Sequence, residues 1–328
     1  MMVKYFNEPL LTTEEYSSKI HKPYNQKYLR SFKNLFVLIA VLFVCGLLFF
    51  GMGFVHRGDT ALPHAPAENI EEFKYTIVTA ASANHFCPLQ SYLYTLQDTI
   101  RYMPPSLRPR IVVYDLGIGE FQRATLEDFK AQGYFHELVT FDYSQYPSFW
   151  SVHINRGEYG WKTGIIYEVA QRYPGVILWM DSGDRAFPHF LVDVVNYVEK
   201  YGIFSPPSKG TIPDFTHPGM MKHFDDSMDR YAKFVNCNGA FIAFDARNTT
   251  IMNDVIKPWA QCGLLKDCIA PVGSSRANHR QDQAAFTYLM AKNGYRCRFD
   301  GLTGLLTHLD KDCKIQIENH LARKQQAL

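Results

Sequence analysis

The sequence predicts an α/β domain, a mostly parallel sheet flanked by helices, preceded by a single membrane-spanning helix. Three observations lead there. Strand-like and helix-like apolar periods alternate along the body of the chain. One strand, Val176-Ile-Leu-Trp-Met180, has no polar residue on either face, which fits the middle of a sheet covered on both sides. Near the N-terminus, Leu35–Val55 carries no charge over a length matching the roughly 20 residues that cross a bilayer as a helix.

The elements follow in order. Residues 1–34 form a tail whose six Lys/Arg (Lys4, Lys19, Lys22, Lys27, Arg30, Lys33) outnumber its three acids, and Arg57 stands nearly alone beyond the span. The positive-inside rule then puts the tail in the cytosol and the body in a lumen or extracellular space. The apolar run is too long and too far from the N-terminus for a cleaved signal peptide. Residues 56–72, with Pro63 and Pro66, read as a short stem, and 73–328 as the lumenal domain. Within it, Tyr75–Ala80 is β-rich and apolar, and Pro88–Met103 has helical spacing that stops before Pro104-Pro105. Arg110–Asp115 reads as the second strand, about 122–132 as a helix, Glu137–Phe141 as the third strand and Trp161–Arg172 as a helix closed by Pro174-Gly175. Right-handed crossovers would make these strands parallel.

The whole chain has 34 Lys/Arg against 32 Asp/Glu, and the body is near neutral, so it lacks the basic face of a nucleic-acid binder. Six cysteines follow the apolar run: Cys87, Cys237, Cys262, Cys268, Cys297 and Cys313. An even number in an oxidising compartment points to disulfides without choosing the pairing. Asn248-Thr-Thr is a glycosylation sequon, usable only in a lumen.

In open α/β sheets, ligands bind beyond the carboxyl ends of the strands. Ala80, Ala81 and Ser82 lie at one such end, Asp115 at another, and Asp181 and Asp184 at a third. Carboxylates placed there suit Mg²⁺ or Mn²⁺. Equally, Ser182-Gly183 makes a tight turn in which Asp184 bonds backbone ahead of the next helix. Lys162, with Arg156 upstream, opens a helix where a pyrophosphate would sit, or is an ordinary exposed lysine. Asp282-Gln283 opens another helix, where the acid serves as base, orients a hydroxyl, or complements the helix dipole. His308 could complete a metal shell or be a bland surface histidine. Gly117-Ile-Gly119 lacks the third glycine of a dinucleotide fingerprint, and no Walker loop, nucleophile elbow or H-E-x-x-H is present.

The ordered series YTIVTAAS, VVYDLG, RGEYGWKTGIIYEVA, VILWMDSGD, CNGAFIAF, PWAQCGLLKDCIAP, HRQDQAAF and the late His308 resembles membrane-anchored glycosyltransferases of the GT-A type, the nucleotide-diphospho-sugar transferase superfamily. The resemblance spans about Tyr75 to His308. It implies a GT-A-like, Rossmann-type fold and transfer of a sugar from a nucleotide-sugar donor, a UDP-sugar in the first instance, to a hydroxyl of a glycan, glycoprotein or glycolipid. It further implies a Mn²⁺ or Mg²⁺ cofactor and a single-pass type II protein of the Golgi or ER membrane. By the same resemblance Ala80–Ser82 lie against the base and Lys162 near the phosphates. Asp181 matches the first acid of the D-x-D element, Asn238 and Gly239 flank the donor sugar, Asp282 and Gln283 lie near the reacting sugar, and His308 binds the metal. D-x-D requires an acid at 183, where this chain has glycine; either Asp184 replaces it or the element is altered. An alternative expectation is therefore a non-catalytic, GT-A-like binding protein.

Overall fold

The computed structural model describes residues 73–326. The tail, the apolar run Leu35–Val55 and the stem lie outside the described residues, and among those described no helix is long and apolar enough to cross a membrane. The first four strands are β1 (Tyr75–Ala81), β2 (Arg110–Asp115), β3 (Glu137–Thr140) and β4 (Val176–Met180). They pair in parallel in the order β3-β2-β1-β4. Phe241–Asp245 continues the sheet antiparallel to β4, and Ile203–Phe204 closes it. The sheet is thus mixed, with its parallel part where the sequence predicts it.

Alternation along the strands feeds two apolar layers. Val78, Val112, Ile177 and Trp179 face one side, where the helices Gly160–Arg172, Lys257–Leu264 and Gln281–Lys292 contribute Ile165, Trp259 and Phe286. Ile77, Ile111, Val113 and Leu178 face the other, against Leu89, Leu126 and Phe190 of Phe86–Ile100, Glu120–Ala131 and Pro188–Tyr201. Every residue of β4 is buried, the direct consequence of its two-sided apolarity. All six described cysteines are paired: Cys87–Cys313, Cys237–Cys297 and Cys262–Cys268.

β1 sits between β2, its successor, and β4, which enters on its other side. The connections therefore diverge at the carboxyl ends of β1 and β4, which opens a crevice there. A further irregularity frames that crevice. Asn155 to Tyr159 run through five consecutive positive φ angles (45°, 59°, 64°, 47°, 55°), four of them at non-glycine residues. Each of those four costs roughly 1–2 kcal/mol. The run is held from both sides: Glu158 accepts from Asn155 at 2.8 Å and from Gln281 at 3.4 Å. Behind it, Gly160 and Gly164 make room for the Trp150 indole and Gly157 for its backbone carbonyl; a Cβ on Gly160 would stand 2.2 Å from Trp150 Nε1. The glycines of RGEYGWKTG are thus a socket for one tryptophan, and they fix where the next residues, Trp161 and Lys162, point.

Candidate functional site

A cavity of about 510 Å³ occupies the crevice. Its floor is the end of β1, with Ala80, Ala81 and Ser82, and the end of β4, with Asp181 and Ser182. Arg156, Lys162, Asn238, Gly239, Asp282, Gln283 and His308 also line it. The structure therefore brings together, in one place, most of the residues singled out from the sequence.

Lys162 is the hub of this wall. Although its side chain is nearly inaccessible, its Nζ lies 2.9 Å from Asp181 Oδ1, 3.2 Å from the Gly239 carbonyl and 3.5 Å from Asp282 Oδ2. It also stands 5.1 Å from the Trp179 ring centroid, while Trp179 Nε1 donates to the same Asp181 oxygen at 2.7 Å. Burial pulls the Lys162 ammonium towards neutrality, but Asp181 and Asp282 outweigh it and hold the pKa above the ordinary lysine value. Burial pushes the Asp282 carboxyl up, and Lys162 offsets this in part. Two donors converge on Asp181 Oδ1, leaving Oδ2 available to the half-exposed cavity side. Lys162 is thus a fixed bridge between the strand-end carboxylate Asp181 and the helix-start carboxylate Asp282 rather than a free phosphate hook.

The neighbouring backbone is arranged around this bridge. Asn238 Oδ1 accepts from the Ala240 N–H at 3.0 Å, and Gln283 Nε2 donates to the Cys237 carbonyl. A Cβ on Gly239 would lie 3.2 Å from Gln283 Cβ and 3.4 Å from Asp282 Oδ2, so glycine there allows the two segments to touch.

Two of the sequence-selected acids lie away from the cavity lining. Asp115 spends Oδ1 on the Gly117 and Ile118 amides, each at 2.8 Å, and Oδ2 on Arg123 at 2.7 Å; it secures the turn after β2. Asp184 is fully buried, and neither of its carboxylate oxygens has a hydrogen-bond partner. Burial, and next the charge of Asp181, push its pKa well above the usual carboxylate value, while the Lys162 ammonium and then the nearby His308 N–H favour the charge without overcoming burial. Backbone closure explains its direction: Asp184 N–H donates to the Asp181 carbonyl at 2.9 Å, which turns the chain inward after Gly183.

Three groups escaped sequence reasoning. Arg276 and Arg280, from the loop before the Gln281–Lys292 helix, line the cavity with Arg156. Arg276 donates to Tyr159 Oη at 3.2 Å, and Arg280 lies 4.5 Å from the Phe215 ring centroid. Aromatic rings orient them, and among the described residues no carboxylate pairs with any of these three arginines. Their signal in the sequence was a basic Ser-rich stretch, SSRANHR, next to a helix start. The third group is Asp310, which also lines the cavity; no local pattern marks it.

Among the described residues, no three His, Cys, Asp or Glu side chains converge into a closed metal shell. Asp181 and the exposed His308, itself at φ 64°, face the cavity together. An unpartnered buried carboxylate close by, and a donor set of carboxylate oxygens with one imidazole, fit a hard divalent ion that keeps water and substrate oxygens in its shell.

No family model matches the sequence, and no curated protein matches it. Solved structures similar in fold include galactosyltransferase LgtC in complex with donor and acceptor sugar analogues, 13% identical, covering 68% of this chain and 72% of that one with a TM-score of 0.42. Mouse xyloside xylosyltransferase 1 is 11% identical over 68% of this chain and 84% of its own, with a TM-score of 0.42. The mannosyltransferase Ktr4p from S. cerevisiae is 6% identical over 70% and 71%, with a TM-score of 0.43.

Proposed function

We propose that the chain is a glycosyltransferase that moves a sugar from a nucleoside diphosphate sugar to an acceptor hydroxyl. The observation that carries this reading is the composition of the crevice. Arg156, Arg276 and Arg280, with no carboxylate partner among the described residues, and the strand-end acid Asp181 meet in a cavity large enough for a ligand of several hundred Å³, at the sheet's switch point.

In the reaction, the acceptor oxygen bonds to the anomeric carbon, the bond from that carbon to the phosphate oxygen breaks, and the diphosphate leaves with the electron pair. The acceptor proton is released. The arginines stabilise the charge that grows on the departing diphosphate, and their fixed stacking on Tyr159 and Phe215 means little reorganisation is needed. Asp282, held by Lys162 and packed against Gly239, presents a carboxylate to the sugar or to the incoming hydroxyl. Asp181 and His308 would hold Mg²⁺ or Mn²⁺, which supplies charge neutralisation at the leaving group.

The tail, the Leu35–Val55 span and the stem complete the proposal as a type II anchor, placing this domain in the Golgi or ER lumen. The six paired cysteines and the tail's basic residues support that orientation. Protease protection of the body in intact microsomes, with the tail digested, is the expected result.

The activity is tested by thermal shift with nucleoside diphosphate sugars, with and without Mn²⁺, followed by assay of nucleoside diphosphate release. One donor should raise Tm by roughly 5–10 °C at a hundred times its Kd and should be turned over. No binding by any donor overturns the proposal; binding without turnover reassigns the chain as a sugar-nucleotide binding protein.

A further inference from the structure

A Cβ placed on Gly183 would lie 2.6 Å from both carboxylate oxygens of Asp310. The space where a side chain at 183 would begin is therefore already filled, by a carboxylate arriving from the far end of the chain. Backbone pairing makes this approach specific: the Leu309 N–H donates to the Gly183 carbonyl at 2.8 Å, laying residues 308–310 along the turn that follows β4. The Asp310 side chain makes no hydrogen bond or ion pair among the described residues, yet it lines the cavity beside Asp181 and His308.

A second observation concerns the charge at this turn. Asp184, fully buried at this turn, has two unpartnered oxygens, and the charges of both Asp181 and Asp310 bear on it. Three carboxylates thus gather around one glycine. Of the cations nearby, Lys162 is already shared between Asp181 and Asp282. Arg185 spends its hydrogen bonds on the Ser182 and Asp184 carbonyls, Ser91 and Gln316, and acts on the Asp184 and Asp310 carboxylates only as a charge through space. The two carboxylates that face the cavity, Asp181 and Asp310, therefore keep oxygens available to a further cation.

We propose that Asp310 is the second carboxylate of a divalent-cation site, acting across the gap left by Gly183, and that it binds Mg²⁺ or Mn²⁺ jointly with Asp181 and a nucleoside diphosphate. This rests on the nucleotide-sugar reading above. It accounts for the glycine at 183, since an acid there and Asp310 could not occupy the same space. It also fits the open donor set, because such ions are held by one or two carboxylates with substrate phosphates and water completing the shell.

The experiment is Mn²⁺ binding to the full-length protein, read from loss of the free-ion electron paramagnetic resonance signal, with UDP or GDP present or absent. Wild type should take up Mn²⁺ tightly only with a nucleotide. Asp310→Asn should weaken that uptake at least tenfold. The exchange Asp310→Ala with Gly183→Asp should restore it to within a few-fold, because the acid returns to the same space from the other strand. That restoration keeps the test informative if the single variant folds poorly. Unchanged Mn²⁺ uptake in Asp310→Asn overturns the inference, as does an exchange variant that folds and binds nucleotide but takes up no ion. Nucleotide binding by wild type without any Mn²⁺ uptake overturns the cation site while leaving the transferase reading intact. Absence of both overturns the transferase reading itself, and the cation site with it.

Discussion

Two acidic centres flank the cavity, a few residues apart in sequence, and they are built in opposite ways. Around Lys162, every charge is answered: one ammonium meets two carboxylates and a carbonyl, and a tryptophan N–H shares an oxygen. Around Gly183, among the described residues, the Asp184 and Asp310 side chains make no hydrogen bond or salt bridge, and Arg185 reaches them only as a charge through space. The first arrangement is a strut that fixes where the ends of β4 and the Gln281–Lys292 helix stand. The second is poised for something from outside. The contrast teaches that buried charge is scaffold when it is satisfied and a ligand site when it is not.

Four measurements break or sharpen that contrast. The largest effect should come from Lys162→Met, which strands Asp282 in the interior. Denaturant unfolding should show a loss of about 3–5 kcal/mol, most of it from Asp282, because Asp181 is partly solvated. A loss below about 1 kcal/mol would mean the strut contributes little.

His279 offers a neutral version of the same satisfied design. Its Nδ1 accepts from the His217 N–H at 3.1 Å, and Nε2 lies 2.9 Å from the Ile269 carbonyl, to which it donates. Burial pushes its pKa down to about 4. With the folded value depressed, the unfolded chain takes up the proton first. Stability present above pH 6.5 should fall as pH drops towards 4 and then level off, a loss on the order of 3 kcal/mol. A His279→Gln variant that retains the same pH slope between 6.5 and 4 would assign the effect elsewhere.

At the unsatisfied centre the sign reverses. Asp184→Asn removes a carboxyl that folding forces towards its neutral form, so with EDTA present it should stabilise the fold by about 1–2 kcal/mol at neutral pH, a gain that shrinks as pH falls towards the unfolded carboxyl's value; destabilisation would show that Asp184 is paired in solution. Arg276→Gln should have the smallest effect on folding, within about 0.5 kcal/mol. Its consequence should appear instead as weaker nucleoside diphosphate binding with a shallower salt dependence, measured by calorimetry at two ionic strengths.

The sequence carried the sheet well where one physical rule dominated. Val176–Met180, apolar on both faces, is the buried strand it promised to be, and Arg110–Asp115 keeps its predicted bounds. The sequence also carried Asp181, Lys162, Asp282 and His308 to one cavity, because strand ends and helix starts meet at the switch point. What it could not carry was direction. Whether the residue after Gly183 points into the cavity or into the core depends on a turn closed by one backbone bond, and here Asp184 goes inward. Asp115 likewise sits at a strand end but is consumed by its own turn. Asp310 was invisible for a different reason: its place depends on a tertiary path some 130 residues long, which no local spacing records. The left-handed run Asn155–Tyr159 had no signal beyond its glycines, and its conformation is imposed by Trp150 and Glu158.

The Cys87–Cys313 bond has a consequence in time. It joins the segment just after β1 to a residue three positions beyond Asp310. The cavity's floor is therefore laid early in synthesis, while the strand of chain that brings His308 and Asp310 to it arrives late and is clasped to that same floor. A nascent chain holds Arg156, Lys162, Asp181 and Asp184 more than a hundred residues before Asp310 is made, and Arg276, Arg280 and Asp282 only shortly before it. Oxidation of one pair of thiols then ties the helix Cys313–Gln326 to Phe86–Ile100, against which it packs, and so tethers the late-made acid to the early-made floor.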